Sequence, residues 1–520
     1  MNTDVIRIYT ENDVVSTNDC FLQKDDLKVE YTEGKLTVTA TDTKIRKIQL
    51  EWEAEFSSDA YLLGDAFERS YGELCWKKAS DTGKMPWYFV AREGDLVYAY
   101  GVETQANSFC HFMYKDGKVV LEADVRSASL PLHLDGRTLH ACTVVTKQYS
   151  CTPFEAIKRF CTEMCHNPKG CNRPVFGGND WYCNYGVSSS EKILEHSRRI
   201  AECAKGCPHK PYMVIDSGWQ LCRVDDFNGG PWIYSNDNFK DMQKLAQDME
   251  NVGVIPGLWL RPLKTAENLP EECFSTHPEG GKWFLDPTNP IVLEKIAQSI
   301  KTIVEWGYKL IKHDFTTYDT LGYWGFEMTE DVIFENKKFS TDKLTTAEAI
   351  NNLYRVIREA AGEDVVIIGC NTIGHLGAGV FELQRIGDDT SGFQWETTKK
   401  MGINTLAFRL PQHKTFFDID ADCVGIMNKM PSGDLQSEEG TFLVPWQKNR
   451  QWLDLVAKSG TPLFVSIGKE CFTEEVRNDV SQAFRTMCAE NTELEPVDWF
   501  ETKTPSLWKT KTGKIINYEW

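Results

Sequence analysis

The stretch Tyr308-Lys309-Leu310-Ile311-Lys312-His313-Asp314-Phe315 sets a lysine and a carboxylate two residues apart at the end of an apolar run that reads as a strand. Side chains alternate along a strand, so Lys312 and Asp314 share one face. A carboxylate so placed is either a catalytic group or half of a structural ion pair, and a neighbouring lysine holds it ionised in both cases. A second acidic pair, Asp388-Asp389, follows Arg385 and Gly387. Like charges this close raise the pKa of one carboxyl, which suits a proton donor. Adjacent strand residues point to opposite faces, so only one of the two is expected to enter a pocket. An ionised carboxylate opposite a protonated one is the pairing that cleaves glycosidic bonds. One attacks the anomeric carbon and the other protonates the departing oxygen.

These groups are not isolated. Other apolar runs end in Asp180/Trp181, Asp216/Trp219, Trp259/Arg261, Cys370/Asn371 and Asp418/Asp420/Asp422. Trp181 and Trp259 suit sugar faces, or they are core residues, as tryptophan commonly is. Asp420 and Asp422 read as supporting residues, and Arg261 either bridges to a loop or reaches substrate. No histidine pair at metal spacing, no glycine-rich phosphate loop and no nucleophilic serine elbow is present, so neither metal nor cofactor is expected. Cys161, Cys165, Cys171, Cys203 and Cys207 miss the spacings of zinc sites.

The elements that position these residues fall into two regimes. Residues 1–150 alternate with period two, as in 27–31 and 36–40 around a Glu33-Gly34 turn, and predict a β-sandwich. An amphipathic helix in 151–172 links it to residues 173–492, where strands and helices alternate. Its helices are expected at 188–204, 239–250, 290–307, 345–361, near 395–400, at 445–459 and at 474–489. In the 290–307 helix Val292, Ile296, Ile300, Ile303 and Val304 share one face. Eight strands, each trailed by something helical, predict a closed (β/α)8 barrel with its chemistry at the C-terminal strand ends. Residues 493–520 predict a short β extension.

Bulk properties narrow the partners. A net charge of -19 argues against nucleic acid and anionic membrane surfaces. No apolar run reaches the ~18 residues of a membrane span. The N-terminus lacks a basic region followed by an apolar one, so a cytoplasmic protein is expected, or a periplasmic or secreted one if a leader was removed. Seventeen cysteines in a long chain suit reduced thiols better than a disulfide framework. Oligomeric state is not legible, and a homo-oligomer is left open.

The set YMVIDSGW, GLWLRP, YKLIKHDF, QRIGDDT and DIDADC, spread over nearly the whole chain, resembles the α-galactosidases of glycoside hydrolase family 36 and, more distantly, family 27. The resemblance implies a retaining exo-α-glycosidase acting on an α-linked galactoside or related oligosaccharide. It implies Asp314 as nucleophile and Asp389 as acid/base. It further implies Trp181, Asp216, Trp259, Lys312, Cys370 and Arg385 as sugar-binding residues. Retention requires the two carboxyls about 5–5.5 Å apart, against about 6.5–9.5 Å for inversion. Three departures stand out. Ser217 replaces the second of two paired aspartates that grip galactose in that family, Arg261 adds a charge, and the C-terminal tail is short. Ser217 keeps other glycones open, as in an α-N-acetylgalactosaminidase, a β-L-arabinopyranosidase or a transglycosylase. A non-catalytic carbohydrate-binding relative is the alternative from another class.

Overall fold

The computed structural model describes residues 3–224, 227–430, 441–489 and 492–520. Two antiparallel sheets form from the N-terminal third. One has six strands, in the order Val14–Thr17, Val5–Thr10, Ile45–Glu53, Lys118–Asp124, Phe109–Lys115, Met85–Pro86. The other has eight and carries the expected hairpin of Leu27–Thr32 with Lys35–Thr39. Leu27, Val29 and Tyr31 point inward while Lys28 is exposed, the alternation that one buried sheet face imposes. The sheets face each other through aromatic pairs, Phe89 with Phe112 at 5.7 Å and Tyr31 with Trp52 at 6.0 Å. Thr152 then caps the helix Pro153–Met164 by accepting the Glu155 N–H.

The third large sheet carries the polar strand ends. Its strands are β1 (Phe176–Asn179), β2 (Tyr212–Ile215), β3 (Ile255–Leu260), β4 (Leu310–His313), β5 (Val366–Gly369), β6 (Leu383–Arg385), β7 (Asp418–Asp420), β8 (Cys423–Ile426) and β9 (Leu463–Ile467). All pair in parallel, in the order β7-β6-β5-β4-β3-β2-β1-β9-β8. The expected closed eight-stranded barrel is therefore corrected to a curled, open nine-stranded sheet. The end strands β7 and β8 are consecutive in the chain and do not pair with each other. Asp422 between them adopts a left-handed backbone with φ 70°. That kink breaks one long strand in two, the first half pairing with β6 and the second with β9.

The helix before β4 shows how position is imposed. Asn289 caps it by accepting the Ile291 N–H, Pro290 opens it, and Val292, Ile296, Ile300 and Ile303 bury one face. Val304, expected in the same stripe, is only half-buried. Truncating one such buried isoleucine to alanine costs about 2–5 kcal/mol. At the end of β4, Lys312 and, just beyond the strand, Asp314 turn to one side, while His313 turns to the other and packs against Tyr354 and Phe381. A three-stranded sheet (Leu494–Pro496, Leu507–Thr510, Ile515–Asn517) ends the chain. All seventeen cysteines are free. Among the described residues, no helix is long and apolar enough to cross a membrane, and no cluster of His, Cys, Asp and Glu could hold a metal ion.

Candidate active site

Asp314 sits just beyond β4, with its own N–H bonded to the Leu260 carbonyl of β3 at 3.0 Å. Three donors converge on its carboxylate. The Trp259 indole N–H reaches Oδ2 at 3.0 Å, and the backbone N–H groups of Phe315 and Asn371 reach Oδ1 at 2.8 and 3.1 Å. Burial pushes this carboxyl up, but the charges of Lys312 and Arg69 and these donors outweigh it. The net pKa lies below the ordinary aspartate value. Lys312 does not pair with Asp314: its Nζ lies 2.7 Å from Asp216 Oδ2. Burial opposes the Lys312 charge, yet the carboxylates of Asp216 and Asp314 hold its pKa well above that of a free lysine. Asp216 is fixed in turn by the Asn179 amide at 2.8 Å and through its backbone N–H by Asp180 at 2.7 Å.

Asp389 belongs to a second cluster. Arg385 Nη2 lies 2.7 Å from Asp389 Oδ1 and 2.8 Å from Asp422 Oδ1, and its Nη1 donates to Cys370 Sγ at 3.7 Å. Asp422 also accepts the Tyr182 hydroxyl and, at 2.8 and 2.9 Å, the N–H and hydroxyl of Thr390. It is held ionised, Arg385 and these donors overcoming its burial. Asp389 goes the other way. Enclosure raises its carboxyl to about 6, with Asp422 and Asp388 adding to the rise and Arg385 and Arg69 opposing it. Its side chain is still 44% accessible, so solvent reaches the carboxyl and offsets part of that enclosure. Burial also pushes the Cys370 thiol well up, which makes it a neutral wall between the two clusters.

The expected strand alternation at Asp388-Asp389 does not apply. β6 ends at Arg385, and both aspartates lie in the loop beyond it. Gly387 makes that loop possible, because a Cβ there would stand 2.0 Å from the Met401 carbonyl oxygen. Asp388 and Asp389 both remain partly exposed and diverge to different arginines, Arg69 at 3.0 Å and Arg385 at 2.7 Å.

No family model matches the sequence. Solved structures do match its shape. The α-galactosidase TtGalA from Thermus thermophilus, solved with p-nitrophenyl α-D-galactopyranoside, superposes with a TM-score of 0.60 at 14% identity, covering 98% of each chain. The GH36 α-galactosidase AgaA from Geobacillus stearothermophilus, solved with stachyose, gives 0.62 at 14% identity over 94% of this chain and 71% of that one. The galactosidase domain of the α-galactosidase-sucrose kinase AgaSK gives 0.59 at 14% identity, over 98% and 70%. The likeness is one of fold.

Of the residues singled out from the sequence, Asp216, Trp259, Lys312 and Asp314 form one contiguous set, and Cys370, Arg385 and Asp389 another. Trp181 opens the short helix Trp181–Asn184 and stacks on Tyr185 at 4.7 Å. The Tyr185 phenol in turn feels the charges of Asp389 and Asp422. Arg261 is a structural group: it pairs with the fully buried Asp319 through Nε at 2.9 Å and lies 4.1 Å over the Phe315 ring. The Ser217 hydroxyl donates to Asn228 Oδ1 at 2.8 Å and accepts from Gln220 at 3.2 Å.

Two residues escaped the sequence reading altogether. Glu68 and Arg69 come from the loop that leaves the eight-stranded N-terminal sheet, and both are buried at the mouth of the parallel sheet. Glu68 accepts from Arg69 Nε and the Tyr71 hydroxyl at 2.8 Å, from the Gly325 N–H at 2.9 Å, and from the Asn371 side-chain amide. Nothing in residues 65–71 carries a periodicity or a motif that singles them out.

Proposed function

We propose that this protein is a glycoside hydrolase, a retaining exo-acting α-glycosidase that takes an α-galactoside or a closely related sugar. One observation carries the reading: Asp314, gripped by three N–H donors, and Asp389, which shares a single Arg385 nitrogen with Asp422, are held toward opposite proton affinities, the first lowered and the second raised. Asp314 attacks the anomeric carbon to give a β-linked glycosyl-enzyme, while Asp389 gives its proton to the departing oxygen. Asp389 then takes a proton from water, which attacks the same carbon and releases the sugar. Lys312, Asp216 and Arg385 hold sugar hydroxyls, and Trp181 and Trp259 line the pocket. TtGalA and AgaA, solved with galactosides, support the substrate class through their fold. The same reading divides the chain into a β unit (1–150), a linker (151–172), the catalytic unit (173–492) and a β extension (493–520).

The test is a panel of nitrophenyl glycosides varied in sugar and anomer, with product stereochemistry followed by NMR. Hydrolysis of α-galactosides with retention is expected, and Asp314→Asn and Asp389→Asn should each reduce it at least about 10³-fold with the fold intact. Full activity in either variant refutes that residue's role. Ser217 favours a second reading, the same machinery on another glycone, since its hydroxyl is occupied by Asn228 and Gln220.

A further inference from the structure

The two N-terminal residues at the mouth of the pocket call for an explanation that the proposed reaction does not give. Arg69 is 5% exposed, with Nε 2.8 Å from Glu68 and Nη1 3.0 Å from Asp388. Its guanidinium also lies 5.8 Å from the Tyr71 ring centre and 5.9 Å from that of Trp324, which fixes its plane. Burying such a group without pairing is costly, and here both ends are paired. The backbone on the other side is equally fixed. The Ser70 N–H donates to the Ile386 carbonyl at 2.9 Å, Arg409 Nη1 donates to that same oxygen at 2.9 Å, and Gly387 has no room for a side chain. Asp388 is therefore presented to Arg69, not left to compete for Arg385.

We infer that Arg69 is a positioning residue that engages Asp388 and leaves Asp389 as the one carboxyl of the adjacent pair free to exchange a proton with substrate. This rests on the glycosidase reading and adds the device that sorts the two acids. Two aspartates side by side in a pocket share a proton unless something distinguishes them. Arg385 alone does not, because it already serves Asp422. The second cation arrives from another part of the chain, and through Glu68 it is tied to Asn371, whose backbone N–H holds Asp314. One buried ion pair thus touches both halves of the catalytic constellation.

The charged and titratable groups that face Asp389 are Arg385, Asp422, Asp388, Arg69, Tyr182 and Tyr185. Those that face Asp314 are Lys312, Arg69, Cys370 and His313. Arg69 lowers the pKa of both acids, so its removal moves both limbs of the pH profile in the same direction.

The experiment is the pH dependence of kcat/KM on an aryl glycoside for the full-length wild type, R69Q, R69K and D388N. In R69Q both limbs are expected to move to higher pH, by about half a unit or more. R69K should restore them in part. In D388N a like charge is lost beside Asp389, so the alkaline limb should move to lower pH while the acid limb stays. A merely structural Arg69 would lower kcat or the melting temperature in R69Q and leave both limbs in place, and that result overturns the inference. If R69Q does not fold, D388N decides: an unmoved alkaline limb overturns it equally. A wild type without glycosidase activity would overturn the proposed function and this inference together. A bell-shaped wild type with unshifted variants would overturn the role of Arg69 alone.

Discussion

Arg385 places a single terminal nitrogen between Asp389, at 2.7 Å, and Asp422, at 2.8 Å. One cation shared by two acids cannot hold both equally. Asp422 has three further donors and stays ionised, so Asp389 is left with the weaker claim on the charge and the higher pKa.

The pH profile of the proposed hydrolysis follows from that division. Asp389 must carry a proton to act as acid, so kcat/KM is lost as pH rises through about 6. On that assignment Asp314 must be ionised to attack, and its pKa is depressed, so activity persists as pH falls below the ordinary aspartate value of about 4. A bell with its maximum in the mildly acidic range is expected. Asp422→Asn removes a negative charge beside Asp389, and the alkaline limb should then move to lower pH. A profile flat to pH 8 would contradict the assignment of the acid.

Trp259→Phe keeps an aromatic ring, though a smaller one, and removes the N–H that reaches Asp314 at 3.0 Å. A hydrogen bond to a charged group contributes about 1.5–3 kcal/mol, so kcat/KM should fall roughly 10- to 150-fold. The acid limb should rise as well, because the carboxylate loses a donor. Single-turnover kinetics on an activated aryl glycoside would locate the loss in the glycosylation step.

Lys312 and Asp216 form a buried pair at 2.7 Å, so breaking it should be harsher than removing it. Lys312→Met leaves the buried Asp216 with its hydrogen bonds but no cation, at a cost of about 3–5 kcal/mol. The double variant Lys312→Met/Asp216→Asn should recover much of that stability but no activity. A double-mutant cycle in urea reads the coupling directly; additive single effects would mean the two do not interact.

Ser217→Ala tests which sugar the pocket takes. If the hydroxyl serves Asn228 and Gln220, its loss should cost about 1 kcal/mol of stability and leave KM for the preferred glycoside within about threefold. A tenfold rise in KM would instead make Ser217 a direct ligand of the glycone.

Local order was legible where one physical signal dominated. The apolar run ending at Asp216 forms the strand Tyr212–Ile215, because four consecutive apolar residues before a polar end have few alternatives as a buried parallel strand. The helix Pro290–Glu305 follows from its apolar stripe. Sheet closure was not legible. It turned on the left-handed backbone of Asp422, which leaves no periodic trace in Asp418 to Cys423. The sorting of Asp388 from Asp389 was inferred from an alternation that the chain abandons at Arg385. Arg69 was out of reach for a different reason: its partners Asp388 and Trp324 lie more than 250 residues away in sequence, and only the fold brings them together.

The Glu68–Arg69 pair also bears on how a protein of this shape can be recombined. A chimaera that joins the parallel sheet to the β unit of another protein inherits whatever that unit presents where Arg69 stands. Two parts that pack well against each other need not agree about charge at the pocket mouth. Residues 65–71, Asn371 and the 386–389 loop are joined by hydrogen bonds and an ion pair, so an exchange that separates them is expected to alter the charge at the site even when no residue of the parallel sheet has been touched.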